Sequence, residues 1–361
     1  MIKLLIVDDS ALMRRVLGDV FRQEGGFEVA FARDGVEALE LLHAFRPDVI
    51  TLDVQMPRMD GLACLDRIMI ERPCPVVMVS SLTAEGAEAT LEALELGAFD
   101  VVPKPDGAIS LTIDEVAPLL LEKVRAAAVS GVRRSHRLAE RLRARRATTP
   151  SAPSTAPRPA PWQPASAGQL PGVVIIGTST GGPPALETVL TELPANFPWP
   201  VLVAQHMPAA FTASLASRLN GLCALHVMEV VRPTPIAAGV IYIARGDADM
   251  TVSLRAAGPV VLPTPANAEY RWHPSVDRLM ASALAHLAPE RMIGVLMTGM
   301  GHDGAATMAA LRTAGGRTIA ESADTAVIWG MPGELVRAGG ADLILPLEAI
   351  ATRLIQLVTA A

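Results

Sequence analysis

Short apolar runs alternate with amphipathic stretches along the first third of the chain. Residues 2–7, 49–52, 75–79 and 99–102 are mostly apolar and rich in β-branched side chains. That is the pattern of strands buried on both faces. Residues 10–24, 34–45, 61–71, 85–96 and 113–127 instead carry apolar positions at helical spacing. Alternation of this kind predicts a doubly wound parallel α/β sheet. The rhythm stops and then resumes after Gly172. Strands are expected at 173–176, 201–204, 239–243, 293–297, 317–320 and 343–345, and helices at 186–193, 211–219, 275–287 and 304–314. A β-rich excursion around 252–262 reads as a hairpin. No internal repeat is visible.

Composition turns this rhythm into a domain plan. A chain of 361 residues fits two domains, each with its own core. Between the two rhythms, residues 133–146 hold seven arginines and residues 150–171 seven prolines among Ala, Ser and Thr. The proline stretch is expected to be an extended linker and the arginine run a solvated face. The expected division is 1–127, a linker over 128–171, and 172–361. With 50% hydrophobic and 19% charged residues the chain has the composition of a globular protein. A net charge of −6 argues against a nucleic-acid binder, a DNA-binding regulator included. Cys64, Cys74 and Cys223 are odd in number and widely spaced, so neither a disulfide framework nor a zinc site is expected. The start MIKLLIVDDS turns acidic after a few apolar residues, and no run approaches the roughly 18 needed to span a bilayer. The expectation is a cytoplasmic monomer without membrane insertion.

Candidate chemistry sits at strand ends. Asp8 and Asp9 follow the first strand, Asp53 the run at 49–52, and Lys104 the run at 99–102. In a parallel sheet such positions converge on one crevice. Three carboxylates gathered there suit Mg²⁺, leaving Asp53 as nucleophile toward a phosphoryl group, with Lys104 and the Ser80 hydroxyl as its partners. Any one of these aspartates alone reads as a helix N-cap. Together, each after a separate strand, they do not.

In the second half, Gly177-Thr178-Ser179-Thr180-Gly181 has nucleophile-elbow spacing between a strand and a helix. A glycine-rich phosphate loop remains an open alternative, although the spacing G-x-G-x-x-G is absent. A nucleophilic serine needs a base and an orienting group. His206 follows the strand at 201–204, and Asp303 lies in a glycine-rich turn after the strand at 293–297. Ser179, His206 and Asp303 are therefore a candidate triad, with His302 and His273 as competing histidines. The turn containing Met300 offers backbone N–H groups as oxyanion donors, and Thr180 can hydrogen-bond within the site.

The motifs IVDDSALMRR, LDVQMPRMDG, VSS and PKP resemble the response-regulator receiver domain. The resemblance implies a flavodoxin-like, five-stranded parallel sheet with helices on both faces. It also implies phosphorylation at Asp53, a Mg²⁺ site of Asp8, Asp9 and Asp53, and switching through Ser80 and Lys104. The position three before the lysine, often aromatic in receivers, is Val101, which shifts the expected switch toward Ser80 and loop repacking. IGTSTGG, QHMP, IYIARGD, PSVD, LMTGMGHDG and WGMPGE resemble the chemotaxis protein-glutamate methylesterase family. That likeness implies hydrolysis of glutamyl methyl esters on methyl-accepting chemoreceptors, in some members deamidation of receptor glutamines, and phosphorylation by a chemotaxis-type histidine kinase. It implies Ser179 as nucleophile, His206 as base, Asp303 as orienting acid and the Met300 amide as oxyanion donor, with no cofactor in this domain. It further implies that the unphosphorylated receiver covers the cleft. Arg245, Asp249, His273 and Glu321 depart from the family pattern, and these positions are expected to rim the crevice. Extra negative charge there would mark a paralogue with a different receptor, or a catalytically idle docking module.

Overall fold

In the computed structural model, which describes residues 1–81, 83–104, 109–130 and 170–359, the chain divides into two compact units. The arginine run and nearly all of the proline stretch lie outside the described residues.

The first unit is a five-stranded parallel sheet in the order β2-β1-β3-β4-β5. Its strands are β1 (Ile2–Val7), β2 (Phe27–Ala32), β3 (Val49–Asp53), β4 (Val76–Ser80) and β5 (Asp100–Pro103). The helices are α1 (Ala11–Glu24), α2 (Gly35–Ala44), α3 (Gly61–Glu71), α4 (Ala84–Glu95) and α5 (Ile109–Ser130). Every residue of β3 and β4 is buried, so both faces of the sheet are covered. The strand order reverses at β1, between β2 and β3, which places the crevice of such a sheet over the ends of β1 and β3. β2 was not anticipated from the apolar pattern. It is an edge strand with an intermediate, mixed burial that an all-apolar template does not match.

The second unit is built on a seven-stranded parallel sheet, β15-β14-β13-β6-β7-β10-β8. These are β6 (Val173–Thr178), β7 (Val201–Gln205), β8 (His226–Val230), β10 (Val240–Ala244), β13 (Met292–Leu296), β14 (Arg317–Glu321) and β15 (Leu343–Leu345). A small antiparallel sheet joins β9 (Thr234–Pro235), β11 (Ala248–Arg255) and β12 (Gly258–Pro265), so the expected hairpin is present and longer than its apolar centre. The helices are α6 (Gly182–Leu190), α7 (Ala209–Leu222), α8 (Val276–Leu284), α9 (Ala305–Thr313), α10 (Met331–Arg337) and α11 (Leu347–Thr359). α6 packs with α7 and α11, while α8, α9 and α10 pack in sequence with one another. β6, β7, β10 and β13 are buried throughout. β6 is the first strand of this sheet in chain order and lies between β7 and β13, so the switch point falls at its C-terminal end. Among the described residues no helix is long and apolar enough to cross a membrane.

Candidate active site and phosphoacceptor site

Ser179 stands one residue past the end of β6, half-buried, at the switch point. The turn that presents it depends on two glycines. Gly181 has a φ of 77°, and a Cβ at Gly182 would lie 1.9 Å from Gln205 Oε1. The Gln205 amide in turn donates to the Ser179 carbonyl at 2.9 Å, and the Ser179 amide donates to the Thr298 carbonyl at 2.9 Å. The serine backbone is thus tied to the ends of both neighbouring strands, while its hydroxyl has no hydrogen-bond partner among the described residues.

His206 follows β7 directly, with its side chain 8% exposed. Its Nε2 is 2.8 Å from Asp303 Oδ2, and its buried Nδ1 has no partner among the described residues. An ionised carboxylate only accepts, so Nε2 carries the proton and Nδ1 presents the lone pair. The competing histidines are placed otherwise. His273 Nδ1 is 3.0 Å from Asp249, and His302 is exposed, edge-on to Trp272.

Asp303 is held by the start of α8. The amides of Val276 and Asp277 donate to it at 2.6 and 3.0 Å, and the Ser275 hydroxyl at 3.0 Å. Burial works against its charge, but the His206 bond and these amides outweigh it and hold the carboxyl below the ordinary range. A helix N-terminus favours an anion for the same reason. Asp277, beside it, is pushed up, first by burial and also by the Asp303 charge.

The turn after β13 is braced from two sides. The Thr298 amide donates to Glu321 Oε2 at 2.7 Å, and the Gly299 amide to the Ile328 carbonyl at 3.0 Å. Thr298 Oγ1 donates to the carbonyl of the buried Thr180 at 2.8 Å, so Thr180 contributes its main chain to the fixed wall of the turn. The next amide, that of Met300, donates to no acceptor among the described residues.

The expected rim needs correcting. Asp249 and Glu321 are 1% and 0% exposed, so they are interior supports rather than crevice edge. Asp249 accepts from the Ser275 amide at 2.7 Å and lies 2.6 Å from Arg278 Nη1, besides its contact with His273. Two of the departing positions, Asp249 and His273, therefore satisfy each other, and the extra acid brings no unpaired negative charge to the crevice. Arg245 is exposed, immediately after β10. Sequence reasoning gave no role to Trp272, whose ring is parallel to that of His206 at a centroid distance of 5.9 Å. Only its position one residue before His273-Pro274-Ser275 could have drawn attention to it.

In the first unit, oxygens of Asp8, Asp9 and Asp53 lie within 4.8 Å of one another. Lys104 Nζ is 2.9 Å from Asp8 Oδ2 and 2.8 Å from Asp53 Oδ2. Burial pushes the Asp8 and Asp53 carboxyls up. Lys104 opposes the rise, and the neighbouring carboxylates add to it. One ammonium against three carboxylates leaves room for a hard divalent cation, and an all-oxygen donor set fits Mg²⁺. Ser80 is fully buried and its hydroxyl is 3.3 Å from the carbonyl of Gly86, in the first turn of α4. Val101 is buried, and its carbonyl accepts from Lys123 Nζ at 2.8 Å.

A β1-β3 crevice with an acidic cluster, followed by an α/β unit with Ser, His and Asp at one switch point, defines a receiver coupled to a hydrolase-type domain. Comparison with known proteins gives the family. The family model described as the response regulator receiver domain matches residues 4–113, and the model described as CheB methylesterase matches residues 174–354. A protein-glutamate methylesterase/protein-glutamine glutaminase 2 of Rhodopseudomonas palustris is 56% identical, covering 99% of this chain and 98% of its own. A protein-glutamate methylesterase/protein-glutamine glutaminase 3 of Rhodospirillum rubrum is also 56% identical, covering 98% and 95%. The crystal structure of the Thermotoga maritima CheB methylesterase catalytic domain is 36% identical, with a TM-score of 0.50, over 52% of this chain and 98% of that one. The chain belongs to the CheB methylesterase family.

Proposed function

We propose that this chain is a phosphorylation-activated protein-glutamate methylesterase, acting on glutamyl methyl esters of chemoreceptors and on receptor glutamines. The observation that carries the catalytic reading is the division of labour on His206. Nε2 is committed to Asp303, Nδ1 is buried without a partner among the described residues, and the His206 amide donates to the carbonyl of Thr178, the residue before Ser179.

Ser179 Oγ attacks the ester carbonyl carbon while its proton passes to His206 Nδ1. Asp303, kept ionised by the α8 amides, holds the imidazolium that forms. The Met300 N–H donates to the carbonyl oxygen as it becomes an oxyanion. Collapse breaks the carbon–OCH₃ bond, and His206 returns the proton so that methanol leaves. Water then attacks the acyl carbon, gives a proton to His206, and releases a glutamate carboxylate and the Ser179 hydroxyl. With a glutamine side chain the first leaving group is ammonia.

On the receiver, Asp53 accepts the phosphoryl group from a histidine kinase, and Asp8, Asp9 and Asp53 hold Mg²⁺. The cation, when bound, neutralises charge on the phosphoryl oxygens. Lys104, freed from Asp53 by the modification, pairs with the new phosphate as a point charge. Ser80 donates its hydroxyl to that phosphate once it leaves the Gly86 carbonyl.

The direct test is methanol release from methylated receptors. Ser179→Ala should abolish it in a protein that folds normally, and retained release sinks the assignment.

A further inference from the structure

Trp272 is not used by the proposed mechanism, yet it lies against His206, His302 and Gly301. Its ring is parallel to His206 within 2°, at a centroid separation of 5.9 Å, the range of offset stacking. It meets His302 edge-on at 5.0 Å. It also fills the space beside Gly301, where a Cβ would lie 2.5 Å from its Cζ2. The indole thus bridges the base and the turn that carries Met300.

A neutral imidazole gains little from an indole face beyond packing. An imidazolium gains more, because the ring quadrupole presents negative charge to a cation within about 6 Å. His206 is neutral before each proton transfer and cationic after it, so stacking favours the cationic, transition-state side. We propose that Trp272 is a positioning residue for the base, stabilising through its π face the imidazolium that His206 becomes in each step. The inference rests on His206 being the base, as assigned above.

Other charges face the same group. Asp303 lies on its Nε2 side, and Asp277 adjoins Asp303. The Arg271 guanidinium is 5.2 Å from the Trp272 centroid and competes for the ring. Arg271 is exposed whereas the His206 side chain is 8% exposed, so solvent screens the first charge far more than the second.

The test replaces Trp272 site-specifically by tryptophans carrying one, two and three fluorines, which keep the shape and weaken the negative face. kcat for methanol release should fall stepwise, by about tenfold over the series, with KM nearly unchanged. Trp272→Leu should fall at least as far. The rate at which phenylmethanesulfonyl fluoride modifies Ser179 should decline in parallel. That second assay needs no receptor, so it decides the inference even if the wild-type protein releases no methanol, a result that would overturn only the proposed function. A flat fluorine series in the sulfonyl fluoride assay overturns the inference, and so does a loss confined to Trp272→Leu, which marks packing alone. A rise in KM at constant kcat would make Trp272 a substrate contact and equally defeat it.

Discussion

Asp303 has two tasks, accepting from His206 and accepting from the start of α8. Asp303→Asn keeps the size but offers an NH₂ group where His206 needs an acceptor, which favours the wrong imidazole tautomer. The expected loss in kcat is on the order of 10³-fold or more, with KM little changed, measured by methanol release. The same carboxyl sets a pH dependence of stability. Its folded-state pKa is depressed, so it contributes stability above the ordinary carboxylate range near pH 4, and this is lost as pH falls through the folded value. Acid melts should therefore show a shallower decline for Asp303→Asn below about pH 4. The residue types at Ser179, His206 and Asp303 were legible because each follows a strand end. Asp249 and Glu321 were misplaced for an equally physical reason. They too sit beside strand ends, but what decides their position is burial against partners far along the chain, Arg278 and Thr298, which local pattern does not reveal.

At the scale of elements, α8 organises the site. Its N-cap Ser275 is fixed by its own amide to Asp249, and Arg278, in the helix's first turn, is paired with the same carboxylate. One buried side chain of β11 thereby fixes the helix end that grips Asp303. Asp249→Ala should leave the Ser275 amide without its acceptor and Arg278 with only the Pro265 carbonyl, and cost about 3 kcal/mol of stability in denaturant melts of the folded protein. Because Asp249 touches no reacting group, most of the loss should appear as stability rather than KM. Elements buried on both faces, such as β3, β4, β6, β7 and β13, were readable as apolar runs. β2 and β8 were not, since edge strands are half-buried and their alternation is irregular. α10 and α11 also went unread. α10 spans only seven residues and opens with Met331-Pro332, too short for a helical period to show.

For the whole molecule, the two units carry separate clusters, Asp8, Asp9 and Asp53 with Lys104 in the first and the His206–Asp303 pair in the second. The raised Asp8 and Asp53 carboxyls make the receiver less stable once pH exceeds their folded-state values, since the unfolded chain gives up these protons at lower pH. Mg²⁺ should offset this penalty by binding only the folded cluster, raising the receiver's melting temperature by a few degrees at saturating cation, and EDTA should reverse it. Asp53→Asn should melt higher than the wild type without Mg²⁺ and lose any activation of methanol release by acetyl phosphate. An unchanged response to acetyl phosphate in Asp53→Asn would place the phosphoacceptor elsewhere. The anchoring of Asp303 by the Val276 and Asp277 amides has a different consequence. If Asp303 orients the base as proposed, fraying that one helical turn should abolish methanol release before the sheet opens. Hydrolysis would then be confined to the fully native second unit, and a half-folded copy should be silent in the methanol-release assay.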